Sequence, residues 1–350
     1  MTQIPINKTP LWMLVGALAL GASLAKLAGA EALAPSETAA PKSVNAFSAL
    51  EVDPARYATR LFDWQDPARA RAVPARLYLP AGDLALRALP LVVFSHGIGG
   101  SREGYSYLGR HLAAHGYASL HVQHVGSDRQ LWWGNPFGLV SRLSNAAREA
   151  EAIDRVRDLS FALDQLLQSE LATRINHERI VAAGHSYGAN TTMLIAGAAA
   201  ESQGQTVSLR DARIKAAVLI SAPPFYGTAD FQKILSPISI PTLHITATAD
   251  DIQIPGYRSG LADRIDVYQA TGAGAQAKKA LAIFKDGSHS IFTDRMGTGG
   301  VALNPLVKAA TRKLVVAFLD DLDRGDAQGI ATWERENHAL VSRFEQSLAR

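Results

Sequence analysis

The sequence predicts an α/β fold built on a mostly parallel central sheet of about eight strands, with helices on both faces. Short apolar runs rich in β-branched residues alternate with longer segments of helical period, which implies right-handed crossovers between parallel strands. Several runs, such as Leu91–Phe94 and Ile180–Ala183, carry no polar residue, as strands covered on both faces require. Polar and glycine-containing loops follow the runs, where sheets of this kind place their sites.

The elements are expected in the following order. Ala75–Pro80 alternates as an edge strand does, and Pro90–Ser95 reads as a buried parallel strand ending in His96-Gly97. Tyr105, Leu108 and Leu112 share one face of a helix stopped by Gly116, and Ala118–Val125 is the next strand. From Ala146 to Leu171 a long amphipathic helix carries Ile153, Val156, Leu159, Leu163, Leu166 and Leu167 on one side. The strand at Ile180–Ala183 runs into a helix of small residues from Tyr187 to Ala200. Strands follow at Ile214–Ser221, Thr242–Ala249 and Lys279–Lys285. Helices over 305–322 and 332–348 close the chain.

The first 30 residues are set apart. Lys8 precedes an apolar run from Leu11 to Leu24, and Ala28-Gly29-Ala30 offers the small residues a signal peptidase reads, so cleavage after Ala30 is expected. The run is short for an uncleaved anchor, and no cysteine is present to take a lipid. The mature chain is expected in the periplasm or medium, without stable membrane insertion. Residues 31–50, rich in Ala, Pro, Ser, Glu and Lys, read as a flexible tether, and 51–350 as a single domain. Removing Lys8 and Lys26 with no acid takes the formal charge from +3 to +1, so the basic balance belongs partly to the leader. No basic stripe points to nucleic acid. The absence of cysteine excludes disulfides and thiol chemistry.

Gly184-His185-Ser186-Tyr187-Gly188 is a G-x-S-x-G between a strand and a helix. A turn this tight strains the serine backbone, and a side chain at 184 or 188 would collide with the neighbouring strand or helix. Ser186 is the candidate nucleophile. A serine hydroxyl needs an imidazole to take its proton, and the imidazole needs a carboxylate to fix its tautomer. His289, in the loop Asp286-Gly287-Ser288-His289-Ser290, is the candidate base, and the adjacent Asp250 and Asp251 are the candidate acids. Other histidines have quieter readings: His111 and His115 sit one turn apart on a surface helix, His338 lies in the last helix, and His185 supports the turn. His121 and His124, three apart on a strand, face opposite sides and cannot share a metal. Neither a metal nor an organic cofactor is expected.

Val92-Val93-Phe94-Ser95-His96-Gly97-Ile98-Gly99-Gly100, the helix ending Leu-Ala-Ala-His-Gly at 112–116, and Gly-His-Ser-Tyr-Gly at 184–188 resemble the α/β-hydrolases. The chain order Ser, Asp, His is the order of their triad. The resemblance is to the branch holding platelet-activating-factor acetylhydrolases and dienelactone-hydrolase-related esterases. It implies that the backbone N–H groups of Ile98 and Tyr187 form the oxyanion hole. It also favours Asp250, because Ala247-Thr248-Ala249-Asp250 matches the small-x-x-Asp ending of this strand in the fold, while a count back from Pro255 favours Asp251. Acetylhydrolases carry their acid one strand earlier, where this chain reads Ser221-Ala222-Pro223-Pro224, so a broader esterase reading is implied.

The activity expected is hydrolysis of a small or apolar acyl ester, the partner being a small-molecule substrate. Leu131, Trp132, Trp133, Pro136 and Phe137, with Phe225 and Tyr226, are candidates for the substrate pocket; the alternative is a loop packed by its own aromatics. An acyltransferase using the same three residues, or a noncatalytic binding protein of the same fold, are the competing functions.

Overall fold

In the computed structural model the described residues are 50–82, 88–202, 205–225, 230–254, 257–275, 277–295 and 297–347. The expected leader, all of the tether before Leu50, and Tyr226 lie outside them.

A nine-stranded sheet runs through the molecule. In chain order the elements are β1 (Tyr57–Asp66), β2 (Arg71–Pro80), β3 (Leu89–Ser95), α1 (Ser106–Ala114), β4 (Ala118–Val122), α2 (Leu139–Ala146), α3 (Glu149–Leu167), β5 (Ile175–His185) and α4 (Tyr187–Ala196). There follow β6 (Ala199–Ser202), β7 (Gln205–Ser208), β8 (Ile214–Ile220), α5 (Phe231–Leu235), β9 (Thr242–Ala249), β10 (Ile252–Ile254), β11 (Tyr257–Ser259), α6 (Leu261–Ala270), β12 (Lys279–Ser288), α7 (Leu303–Arg324), α8 (Ala327–Asn337) and β13 (Val341–Ser347). The sheet order is β1-β2-β4-β3-β5-β8-β9-β12-β13. The six strands from β4 to β12 are parallel, and antiparallel strands close both edges.

The parallel strands are apolar on both faces and feed two cores. Val156, Leu159, Leu163 and Leu166 of α3 and Met193 and Ile195 of α4 pack on one face with Leu91, Val93, Ala182 and Leu219. Leu108 and Leu112 of α1, Leu314 and Phe318 of α7, and Trp333 of α8 pack on the other with Val92, Phe94, Val218 and Phe284. Loop crossings therefore fall at the strand ends, and the carboxyl ends of β3, β5, β9 and β12 come together.

The nine strands fit the expected sheet of about eight, with β1 and β13 added at its edges. Four other expectations change. Ala75–Pro80 belongs to β2, which lies inside the sheet, covered by β1. β1 was hidden in the sequence because its side chains are largely exposed; only Phe62 and Trp64, stacked at 4.4 Å on one side, reach the core. The helix expected over 332–348 ends at Asn337, and 341–347 pair instead with the free edge of β12. The helix expected to reach Ala200 stops at Gly197, whose φ of 118° suits glycine, and a β6–β7 hairpin follows. Finally, the helix expected over 146–171 is α3 alone, Glu149–Leu167, which starts only after the extended residue Arg148; the separate helix α2 ends at Ala146, where the expected one begins.

His111 is buried, not on a surface face. It joins His96, His121, His124, His185 and His244, all buried. Burial lowers the pKa of each, to about 4 for His121, about 3 for His185 and His244, and about 2 for His111. These rings stay neutral in the fold but protonate near pH 6.5 in the unfolded chain. The unfolded state thus binds more protons below that pH, and stability falls as the pH drops from about 6.5 toward 4. Each ring contributes a loss of about 1–2 kcal/mol between pH 7 and pH 5. Urea unfolding should register a fall of at least about 3 kcal/mol over that interval; a flat profile would show that the rings titrate without opening the core.

Candidate active site

The turn between β5 and α4 is fixed by the approach of backbone to backbone. A Cβ on Gly188 would lie 1.9 Å from the Ser95 carbonyl oxygen at the end of β3, and one on Gly184 would lie 2.2 Å from the Gly188 carbonyl oxygen. Only glycine fits either place. Between them Ser186 is held at φ 56°, ψ −121°, strained for a residue with a side chain, and its N–H donates to Ile220 O at 2.9 Å. The strain lifts the hydroxyl out of the turn.

His289 begins a short 3₁₀ turn after β12, and its Nε2 accepts from the Ser186 hydroxyl at 2.8 Å. Its Nδ1–H donates to Asp250 Oδ1 at 2.6 Å. Asp250 is fully buried at the end of β9; its Oδ2 accepts from Thr246 Oγ1 at 2.7 Å, and Arg264 Nη2 stands 3.4 Å from Oδ1. Burial alone would raise the Asp250 pKa, but the His289 ring and the Arg264 guanidinium outweigh it and hold the carboxyl well below the usual range. Asp251 is exposed beside Gly260 and is not in this line. The strand before, β8, is followed by buried Ser221 with φ 50°.

His185 supports the arrangement from behind. Its Nε2–H donates to the His289 carbonyl at 2.9 Å, so its Nδ1 must accept, and the Tyr105 hydroxyl donates to it at 2.8 Å. Tyr105 O in turn accepts from Gly97 N–H at 3.4 Å. With its pKa pushed down to about 3 by burial and by His289, His185 stays neutral and keeps this tautomer. From α1, Tyr107 Oη donates to Phe292 O at 3.1 Å and pins the far end of the His289 turn.

The loop after β3 passes over Ser186: a Cβ on Gly97 would lie 3.4 Å from Ser186 Cβ. Among the described residues the N–H groups of Ile98 and Tyr187 donate to no protein acceptor, while Gly99 N–H is bound to Ser127 O at 2.8 Å and Gly100 N–H to Gly97 O at 3.0 Å. Two unused donors thus flank the serine.

Behind the loop, Ser95, His124 and Asp158 repeat the same hydrogen-bond order: Ser95 Oγ to His124 Nε2 at 2.9 Å, His124 Nδ1 to Asp158 Oδ2 at 3.0 Å. All three are fully buried, Arg155 donates to the Ser95 hydroxyl, and Arg69 and Arg71 hold Asp158. No substrate reaches this trio.

Of the pocket candidates, Trp132 leans on the loop and donates through Nε1 to Gly99 O at 3.0 Å. Leu131 is buried with Leu143 and Ala146, against which Ile98 packs. Trp133 and Phe137 turn outward, 75% and 95% exposed, so they line no closed pocket; Asn135 caps the turn at Pro136 and directs Phe137 away. Phe225 packs partly against the core. Among the described residues no cluster of three or more His, Asp or Glu side chains is placed to hold a metal.

Residues 82–130 match the family described as "Platelet-activating factor acetylhydrolase, isoform II". The fold is that of the α/β-hydrolases. The matched stretch spans β3, α1 and β4 with the His96–Gly100 loop, and it supports an ester-acting hydrolase of lipase or esterase type, similar to the acetylhydrolase branch. No curated protein matches the chain.

Sequence reading missed Tyr105, Thr246, Arg264 and Arg155. Arg264 had a signal: it shares the buried face of α6 with Val267 and Tyr268, where a cation needs a buried partner. Tyr105 and Thr246 had none.

Gly188→Ala should cost about 3 kcal/mol or more, the upper range for overpacking. Calorimetry should show Tm lowered by roughly 5–10 °C. An unchanged Tm would mean that α4 does not start against β3 as described.

Proposed function

We propose that the protein is a serine esterase that hydrolyses carboxylic esters through an acyl-enzyme. The observation that carries this reading is the unbroken line Asp250–His289–Ser186, at 2.6 and 2.8 Å, ending at a strained serine flanked by two unused N–H donors.

Ser186 Oγ attacks the ester carbonyl carbon as its proton passes to His289 Nε2. The carbonyl oxygen becomes an oxyanion held by Ile98 and Tyr187 N–H, each donor being worth about 2.7–4 kcal/mol in sites of this kind. The C–O bond to the alcohol breaks, and His289 returns the proton to the departing oxygen. Water then gives a proton to His289 and attacks the acyl carbon; Ser186 leaves with that proton, and the carboxylic acid is released. Asp250 holds the imidazole in the tautomer that can accept at Nε2 and stabilises its positive charge. Trp132, resting on the oxyanion loop, offers an apolar wall to a small acyl or alcohol group.

Ser186→Ala should abolish hydrolysis of p-nitrophenyl esters while leaving Tm within a few degrees, and a fluorophosphonate should label Ser186 alone. Persistent turnover in the alanine variant rules the reading out. Asp250→Asn should lower kcat by up to about 10⁴-fold, through the wrong hydrogen-bond partner for His289. Asp251→Asn should cost less than about tenfold; the reverse order would move the acid.

For localisation the proposal is export with removal of residues 1–30, supported by Lys8, the apolar run and Ala28-Gly29-Ala30. Among the described residues no helix is long and apolar enough to cross a membrane. N-terminal sequencing of the protein from periplasm or medium should begin at Glu31; an intact Met1 chain in the membrane fraction would make the segment an anchor.

A further inference from the structure

The two N–H donors assigned to the oxyanion hole come from different segments, Ile98 from the loop after β3 and Tyr187 from the start of α4. A donor acts on an oxyanion only when held within a few tenths of an ångström of the right place, so something must fix one segment against the other. Hydrogen bonds within the loop fix only its own shape.

Arg155 of α3 lies between the two segments and is fully buried. Its Nε–H donates to Thr191 Oγ1 on α4 at 2.9 Å. Thr191 Oγ1 donates to the Tyr187 carbonyl at 3.1 Å, and the guanidinium carbon stands 4.4 Å from the centre of the Tyr187 ring. The other side of the fork faces the loop. Nη2 donates to the His96 carbonyl and to Ser95 Oγ at 3.0 Å, and Nη1 donates to Ser127 Oγ at 2.7 Å. Ser127 is the residue whose carbonyl binds Gly99 N–H.

A buried cation normally takes a carboxylate partner, because the cost of leaving water is high. Here hydroxyls, one carbonyl and an aromatic ring take that place. The nearby carboxylates are engaged elsewhere, Asp158 with Arg69, Arg71 and His124 and Glu151 with Arg71 and Ser127. The charge is thus left without a directly bound anion, behind the site where negative charge would develop. A rigid planar fork reaching two segments at once is a geometry that lysine cannot copy.

We propose that Arg155 is a positioning residue that clamps the two halves of the oxyanion hole together and places behind it a positive charge that no carboxylate bonds directly. It does not touch the substrate and acts through His96, Ser127, Thr191 and Tyr187. The inference rests on the esterase reading of Ser186.

The test compares Arg155→Lys and Arg155→Met with the unaltered protein on p-nitrophenyl acetate, together with the rate at which a fluorophosphonate labels Ser186. Arg155→Met should lower kcat by about 10²-fold or more, the scale of losing one oxyanion donor, with KM changed less than about threefold. Labelling should slow in proportion, because phosphonylation also develops negative charge on oxygen. Arg155→Lys, which keeps the charge and loses the fork, should fall between the two. If neither variant folds, Tyr187→Leu removes the ring and keeps the N–H, and should lower kcat about tenfold at constant KM. Folded Arg155 variants, or failing those Tyr187→Leu, that turn over within threefold of the unaltered protein, or lose KM rather than kcat, overturn the proposal. Ser186→Ala separates the two readings: if it remains active the esterase reading itself fails, whereas an inactive Ser186→Ala beside a fully active Arg155→Lys and Arg155→Met sinks the clamp alone.

Discussion

Helix α4 starts so close to the end of β3 that a single methyl group on Gly188 would fall 1.9 Å from a carbonyl oxygen, and the rest of the site follows from that contact. The closeness forces the backbone at Ser186 into a strained turn and sets its hydroxyl at the meeting point of four strand ends. It also brings the loop after β3, which carries Ile98, over the serine next to Tyr187, and the N–H groups of Ile98 and Tyr187 bind no protein acceptor among the described residues. Interior packing is dense and rigid, so a turn held in this way transmits little slack to the side chains around it.

A second constraint is electrostatic. The domain buries six histidines and several arginines, and hydrogen bonds settle what each may do. His185, between the Tyr105 hydroxyl and the His289 carbonyl, has one usable tautomer and no room for a second proton. His124 has the same kind of partners as His289, a serine and an aspartate, yet it lies out of reach of solvent. The two trios share one hydrogen-bond order, and what distinguishes Ser186 from Ser95 is partial exposure and a strained backbone. Asp250 remains ionised in the interior because His289, Thr246 and Arg264 surround it, so its role does not depend on contact with water.

The parallel core was legible in the sequence because strands covered on both faces carry unbroken apolar runs, and 91–94, 180–183 and 214–220 contain few residues that suit any other place. The edges were not. β1 and β13 expose most of their side chains, and polar residues on an edge strand follow the same pattern as those on a surface helix; what makes 341–347 a strand is the open hydrogen-bonding edge of β12. Helix α2 was equally invisible, since Leu143 and Ala146 are its only buried residues and leave a faint apolar stripe, and the start of α3 is set by the extended residue Arg148.

Ser186, His289 and the pair Asp250–Asp251 stood out by local chemistry and chain order, because a glycine-flanked turn and loops after strands can be recognised within a few residues. The sequence alone could not separate two adjacent aspartates, since which of them points inward depends on the turn at the end of β9 and on the partners waiting there. It could not find Tyr105, whose partner His185 lies 80 residues along the chain, or Thr246, whose bond to Asp250 four residues on depends on how the chain turns at the end of β9. Glu151, Arg155 and Asp158 share the buried stripe of α3 with Leu159, Ala162 and Leu166, so their spacing marked a helix face that buries charge. Only the packing of α3 against α4 and the loop after β3 decided what that charge would hold, because hydrogen-bond partners are assigned by neighbours in space and not by neighbours in sequence.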